Sequence, residues 1–127
     1  MKFHHIGYLT SNINLTIKDF KSIGYKKKKS LIVDNTLKVK IQFLMNGNNI
    51  IELIKPHNKN HGLLSLLKKK QYAYHFAYKV ENLDKSLISL KKRFKIIVNP
   101  VPAKAFGGKK VAFLKMKNDF IIELIQS

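Results

Sequence analysis

Hydrophobic and polar residues alternate along this chain with a period that changes at regular intervals. Lys2–Thr10 alternates with the two-residue period of a strand, and from Asn12 to Gly24 the apolar residues recur at helical spacing. An Asn-Gly pair within Asn46–Asn49 is typical of a tight hairpin turn. The remaining pattern of the first half predicts three strands, at Tyr25–Val33, Leu37–Met45 and Ile50–Ile54.

The second half of the chain shows the same order of elements after a connector at residues 57–70. Four leucines in the connector indicate one short helix there. Beyond it, the pattern predicts a strand, a helix, a strand, a loop containing Pro and Gly, and a hairpin of two strands. These elements are expected at Tyr72–Val80, Leu83 to about Phe94, Lys95–Val98, Asn99–Gly108, Lys109–Met116 and Phe120–Ile125.

An internal repeat underlies this similarity of the two halves. The pentapeptide IIELI occurs at Ile50–Ile54 and again at Ile121–Ile125. A histidine, His5 or His75, precedes the glutamate of each copy by 47 or 48 residues. The repeat is too long and has too few copies for a solenoid. We therefore expect one α+β domain built from two βαβββ modules, at approximately residues 1–56 and 71–127.

Composition limits the classes of function. The chain has 127 residues, no cysteine and a net charge of +18, so disulfides and thiolate ligands are excluded. No apolar segment resembles a signal peptide or a membrane span, which favours a cytoplasmic protein with no membrane partner. Arg93 is the only arginine among 25 basic residues. Because base recognition depends heavily on arginine, we interpret the charge as compositional and do not expect nucleic acid binding.

The rare acidic residues are more informative than the many basic ones. Glu52 and Glu123 are two of only three glutamates, and both lie inside strongly apolar runs. Burial of a lone carboxylate is costly, whereas a bound cation would stabilise it. A histidine in a strand and a glutamate at an edge can each be ordinary side chains. The coincidence of all four residues in a repeat nevertheless favours a divalent metal site, for which His and Glu are suitable ligands.

Four motifs that span nearly the whole chain resemble the glyoxalase, bleomycin-resistance and dioxygenase superfamily, also called vicinal oxygen chelate proteins. They are HHIGYLTSNI, IIELIKP, YHFAYKVENLDKSL and VAFLKMKNDFIIELI. Within the superfamily the chain is most similar to bacterial glyoxalase I and methylmalonyl-CoA epimerase. The resemblance implies two βαβββ modules that form an incomplete barrel around one metal ion, either Ni, Co or Zn. Members of this size also form homodimers, so a homodimer is left open.

The resemblance also implies which residues hold the metal. Carried over by motif, the ligands are His5, Glu52, His75 and Glu123, and alignment with His75 selects His5 over the adjacent histidine. The remaining histidines match no motif and are expected at the surface; these are His57 and His61.

The implied reaction is removal of a proton next to a carbonyl, with the metal stabilising the enediolate or enolate. Glu123 is our first choice of base and Glu52 the second. The expected activity is that of a glyoxalase I-like lyase or isomerase, which converts a 2-oxoaldehyde hemithioacetal to a 2-hydroxyacyl thioester. An acyl-CoA epimerase is the alternative, and a non-enzymatic small-molecule-binding protein is the third possibility.

This sequence differs from glyoxalase I and from the epimerase in two ways that affect the choice of substrate. Glutathione is usually held by arginines, and only Arg93 is present, so glutathione is disfavoured and the identity of the thiol is left open. An epimerase needs a base on each face of the substrate carbon, but the third strand offers only Lys40 and Gln42 and no carboxylate. The excess of lysine would nevertheless suit CoA phosphates. Near the Gly107-Gly108 loop, candidates for this role are Lys104, Lys109 and Lys110, with Phe106 either closing over the ligand or packing.

Overall fold

The structure is a computed structural model that describes residues 1–59 and 61–127, so Asn60 of the connector lies outside the described residues. The chain forms two compact units. The first unit comprises His5–Tyr74, and the second comprises Met1–His4 together with His75–Ser127. None of the described helices has both the length and the apolar character needed to cross a bilayer.

The first unit has the predicted order of strand, helix and three strands, followed by a short helix. Its strands are arranged in the order β2-β3-β4-β1, with β1 parallel to β4 and the other neighbours antiparallel. The elements are β1 (Lys2–Leu9), α1 (Ile13–Ser22), β2 (Lys26–Asp34), β3 (Val39–Asn46), β4 (Asn49–Pro56) and α2 (Leu64–Lys68). The first three residues of β1 belong to the second unit. The sequence therefore placed these elements correctly to within a few residues at each end.

Helix α1 forms where capping and amphipathicity coincide. The side chain of Asn12 accepts a hydrogen bond of 3.1 Å from the Leu15 amide, which satisfies a donor at the start of the helix. The buried face of the helix is centred on Ile17, which packs with Leu44 and Leu53 of the sheet. Tyr8 also packs on this side of the sheet, which is the face opposite to His5 because residues of a strand alternate between its two faces.

The second unit repeats this arrangement, with the strand order β5-β8-β7-β6 and β5 parallel to β8. The elements are β5 (Ala73–Val80), α3 (Leu83–Leu90), β6 (Lys95–Pro102), a 3-10 turn (Lys104–Phe106), β7 (Lys110–Lys115) and β8 (Ile121–Gln126). Asn82 caps α3 by accepting from the Lys85 amide at 2.9 Å. The core on the helix side includes Leu87 and Leu124. In both units an asparagine at the same position of the repeat therefore caps the helix.

Two predicted boundaries in the second unit were wrong. Helix α3 ends at Leu90 rather than near Phe94, because residues 91–93 form a tighter turn in which the Arg93 amide bonds to the Leu90 carbonyl, three residues earlier, at 2.9 Å. Strand β6 continues through Pro100 to Pro102, where a loop was predicted. Proline lacks an amide donor but is tolerated on an edge strand, and β6 is the last strand of this order.

One of the two connector histidines also differs from expectation. His57 is exposed as predicted, but His61 is partly buried. Its Nδ1 atom accepts a bond from the Leu63 amide at 3.1 Å, so the proton resides on Nε2, which lies 2.9 Å from the Leu37 carbonyl. His61 is therefore a structural residue that joins the connector to the turn between β2 and β3.

Strand β2 contains an irregularity that the sequence did not indicate. Lys28 pairs with Phe43, but the next pair along the two strands is Ile32 with Ile41, so three residues of β2 lie opposite one residue of β3. The first of the three, Lys29, has a φ angle of 68°. This left-handed conformation is unusual for a residue with a side chain.

Candidate metal centre

The first histidine–glutamate pair lies on the parallel strands β1 and β4. Gly7 is the register partner of Glu52, and His5 lies two residues before Gly7 on the same face of β1. The His5 Nε2 atom is 3.4 Å from the Glu52 Oε1 atom, and the two residues are only 0% and 3% exposed. Gly7, whose lack of a side chain leaves space beside the imidazole, is thus opposite the glutamate itself.

The second pair has the same construction on β5 and β8. Ala77 is the register partner of Glu123, and His75 precedes Ala77 by two residues. The His75 Nε2 atom is 3.3 Å from the Glu123 Oε1 atom, and both residues are buried. Each unit therefore contains one buried imidazole beside one buried carboxylate, in the same register.

Each pair also has an aromatic neighbour that sequence reasoning did not assign to the site. Phe43 is the register partner of Glu52, and its ring meets the His5 ring edge-to-face at 6.0 Å. Phe113 is the partner of Glu123, and its ring meets the His75 ring at 5.7 Å. The sequence did contain an indication of this role, because the two phenylalanines occupy equivalent positions of the repeat. Each ring packs against a fully buried imidazole and so restricts its orientation.

The two polar residues considered on the third strand do not face the glutamate. Phe43 shares the face of Glu52, so the neighbouring Gln42 points to the opposite face. Gln42 and Lys40 instead line a groove of about 490 Å³ beside the start of α1, together with Lys27 and others. The face of β3 that Glu52 shares carries only apolar side chains, so β3 supplies no base to the first pair.

The donor set of the two units fits a divalent transition metal. Each unit offers one imidazole nitrogen and one carboxylate oxygen, and these ligand types are used for Zn, Ni, Co, Fe and Mn. Burial raises the cost of leaving a carboxylate without a positive partner. The chemistry of these residues therefore agrees with a metal role, without selecting one metal.

The residues considered for substrate phosphates lie at the surface of the second unit. Lys104, Lys109 and Lys110 are exposed, as is Arg93 beyond α3. The ring of Phe106 lies 5.7 Å from that of His4, which alternates with His5 and so occupies the other face of β1. Phe106 is therefore a packing residue in this structure, which was one of its two expected roles.

Comparison of the chain with models of protein families supports the resemblance seen in the motifs. The family model described as the glyoxalase/bleomycin resistance protein/dioxygenase superfamily matches residues 4–126. The chain therefore belongs to this superfamily, as predicted. A search of curated proteins finds no match to the chain.

Solved structures agree with the predicted fold. A hypothetical protein from Bacillus halodurans C-125 is 24% identical with a TM-score of 0.86, over 99% of this chain and 94% of that chain. Methylmalonyl-CoA epimerase from Mycobacterium tuberculosis is 16% identical with a TM-score of 0.84, over 98% and 87% of the two chains. A variant of the Streptomyces coelicolor epimerase, in complex with 2-nitronate-propionyl-CoA, is 19% identical with a TM-score of 0.83, over 100% and 97%. At these identities the likeness establishes the fold alone.

Proposed function

We propose that this protein is a metal-dependent lyase or isomerase of the glyoxalase I type, in which His5, Glu52, His75 and Glu123 bind one divalent ion. The observation that carries the proposal is the duplication of a buried histidine–glutamate pair in the same strand register, at 3.4 Å and 3.3 Å. A single pair of this kind is an ordinary structural feature. Two equivalent pairs in a member of this superfamily favour a shared function for all four residues.

The chain's own residues would divide the work as follows. The bound ion would act as a Lewis acid that stabilises negative charge on substrate oxygens. His5 and His75 would serve as ligands, with Phe43 and Phe113 holding the imidazole orientations. Glu123, or secondly Glu52, would take the proton from the carbon next to the carbonyl and return it to the neighbouring carbon. One carboxylate suffices for this transfer, because it acts first as base and then as acid.

The surroundings of the first pair favour the isomerase over the epimerase. An epimerase needs a base on each face of the substrate carbon, and the face of β3 beside Glu52 contains only apolar side chains. Arg93 is exposed and is the only arginine, which argues against glutathione as the thiol. We therefore propose a hemithioacetal of another thiol as substrate, and a 2-hydroxyacyl thioester as product.

An acyl-CoA epimerase is the second candidate. It is favoured by the structural likeness to methylmalonyl-CoA epimerases, one of which was solved with a propionyl-CoA derivative. The exposed lysines near the Gly107-Gly108 loop would suit CoA phosphates. A non-enzymatic binding protein is the third candidate, and it would be favoured by a formed metal site without turnover of either substrate.

Calorimetric titration of metal-free protein with Ni²⁺, Co²⁺ and Zn²⁺ tests the proposed centre. We expect one tight site per chain, weakened at least 10- to 100-fold in Glu52→Gln and to a similar extent in Glu123→Gln. The matched control is Glu81→Gln, which changes the third glutamate, an exposed residue, and should leave affinity unchanged. Absence of a tight site, or binding indifferent to both buried glutamates, would overturn the proposal.

Assays of substrate turnover then distinguish the isomerase from the epimerase. The metal-loaded protein is assayed for thioester formation from methylglyoxal with a panel of thiols, and for exchange of the proton next to the thioester of methylmalonyl-CoA with deuterium. Thioester formation that is lost in Glu123→Gln would support the isomerase, whereas exchange alone would support the epimerase. Sedimentation of the same preparation tests the homodimer, which stays a prediction.

A further inference from the structure

The backbone at Lys29 has an unusual conformation that the surrounding sequence does not require. Lys29 opens the irregular segment of β2 and adopts a φ angle of 68°, although no glycine or asparagine is present there. Residues with side chains rarely occupy this region, and such strain often accompanies a function. The feature therefore needs a reason beyond the formation of the strand.

A buried side chain holds this conformation in place. Gln42 lies opposite the irregular segment, and its Nε2 atom donates a 2.9 Å hydrogen bond to the Lys29 carbonyl. Gln42 is only 3% exposed, so the bond is partly shielded from competition by water. The side-chain amide thus replaces a backbone bond that the irregular register has removed.

The result is that the Lys29 ammonium group is directed toward the face of the first histidine–glutamate pair. In a regular strand Lys29 would share the face of Lys27, which lines the groove beside α1. Instead its Nζ atom lies 5.4 Å from the centre of the Phe43 ring, over the ring face. The same ring meets the His5 ring at 6.0 Å, so a single aromatic ring separates the ammonium group from the imidazole.

The positive charge of the Lys29 ammonium group is placed where it can bind an anion. Lys29 is exposed, and within residues 1–59 and 61–127 its ammonium group contacts an aromatic ring rather than a carboxylate. An ammonium group held over a ring can still donate hydrogen bonds outward to a carboxylate. Lys29 therefore offers directed positive charge beside a proposed ligand, unlike the lysines at helix ends and turns.

We propose that Lys29 is a specificity-determining residue that selects substrates carrying a carboxylate close to the oxygens held at the metal. The inference rests on the proposed function, because it assumes that substrate oxygens bind beside His5 and Glu52. It adds a substrate class: anionic carbonyl compounds are preferred over neutral ones of the same shape.

Two small hydroxamates that differ by one carboxylate provide the test. Acetohydroxamate and succinic monohydroxamate both bind metals through neighbouring oxygens, and each is titrated by calorimetry into the nickel-loaded protein. We expect the wild-type protein to bind the carboxylated compound roughly tenfold more tightly. Lys29→Met should remove this preference, and Lys29→Arg should keep most of it. Lys27→Met is the matched control, because it removes the same charge from the opposite face and should keep the preference.

The possible outcomes are distinguishable. A preference that survives Lys29→Met, or that falls equally in Lys27→Met, would overturn the role of Lys29. Nickel titration of the same variants reports on the proposed centre separately, and Lys29→Met should leave nickel affinity within about twofold because lysine is not one of the proposed ligands. If the wild-type protein bound none of Ni²⁺, Co²⁺ and Zn²⁺ tightly, the proposed function would fail and this inference would fail with it; if it bound only Co²⁺ or Zn²⁺, the same hydroxamate titrations would be run on the protein loaded with that ion.

Discussion

The hydrogen bond between Gln42 and the Lys29 carbonyl leads to a prediction that joins stability to ligand preference. Replacement of Gln42 by leucine keeps a side chain of similar size but removes both hydrogen bonds of the amide. These bonds reach the Lys29 carbonyl at 2.9 Å and the Phe43 carbonyl at 3.2 Å. We expect Gln42→Leu to destabilise the fold and to abolish the preference for the carboxylated hydroxamate, although Lys29 is unchanged.

The size of the stability effect follows from the two bonds. Each contributes about 0.5–1.5 kcal/mol to the free energy of unfolding. Lys29 is exposed, so water can reach its carbonyl in the variant and limits the cost of leaving it without Gln42. The expected loss is therefore about 2 kcal/mol, which corresponds to a decrease in Tm of roughly 6–10 °C for a chain of this length.

Urea unfolding followed by circular dichroism measures the stability, and the hydroxamate titrations measure the preference. Gln42→Glu is an informative companion, because an ionised carboxylate cannot donate to the two carbonyls. It should be less stable than Gln42→Leu at pH 7 and should recover as the pH is lowered, since the protonated carboxyl group regains a donor. Unchanged stability in Gln42→Leu, or a retained carboxylate preference in a folded variant, would refute the assigned role of this bond.

Further predictions concern the repeat and its cores. The two N-cap variants Asn12→Ala and Asn82→Ala should each lower the free energy of unfolding by about 1 kcal/mol, and urea unfolding that shows an effect in only one would contradict their equivalence. Leu53→Ala and Leu124→Ala, at matching buried positions of IIELI, should each cost about 2–5 kcal/mol by the same measurement. Burial, assisted by a neighbouring tyrosine and an aspartate, raises the pKa of Tyr8 above its ordinary value of 10.0. Its contribution to stability is therefore complete below about pH 10 and is lost as the pH rises through the folded-state pKa, a decline that Tyr8→Phe should reduce in unfolding curves between pH 8 and 11.

The sequence contained most of the information about the candidate site because the site is duplicated. His5 and His75 were selected by their alignment with each other, and Glu52 and Glu123 by their place in IIELI. In the structure each histidine lies beside its own glutamate. The parallel pairing of β1 with β4 and of β5 with β8 explains this geometry, since residues on one face of neighbouring strands come together when the register matches.

Features that depend on tertiary pairing could not be predicted from local patterns. The irregular register at Lys29 arises from the bond with Gln42, thirteen positions later in the chain. Pro100 was interpreted as a loop residue because proline normally interrupts strands, and only its place on an edge strand makes it acceptable. His61 matched no motif, and its role comes from hydrogen bonds to Leu37 and Leu63.

Strand β1 has a consequence for the order of events during synthesis. Its first residues group with the second unit, where the Phe3 ring contacts those of Phe76 and Tyr78 at 6.2 Å and 5.6 Å. A chain that emerges from its N-terminus can pair the later part of β1 with β4 long before Phe76 is made. The strand is therefore completed in two stages, and the Phe3 ring, which is 50% exposed even in the folded chain, gains its aromatic contacts only after Phe76 and Tyr78 have been translated.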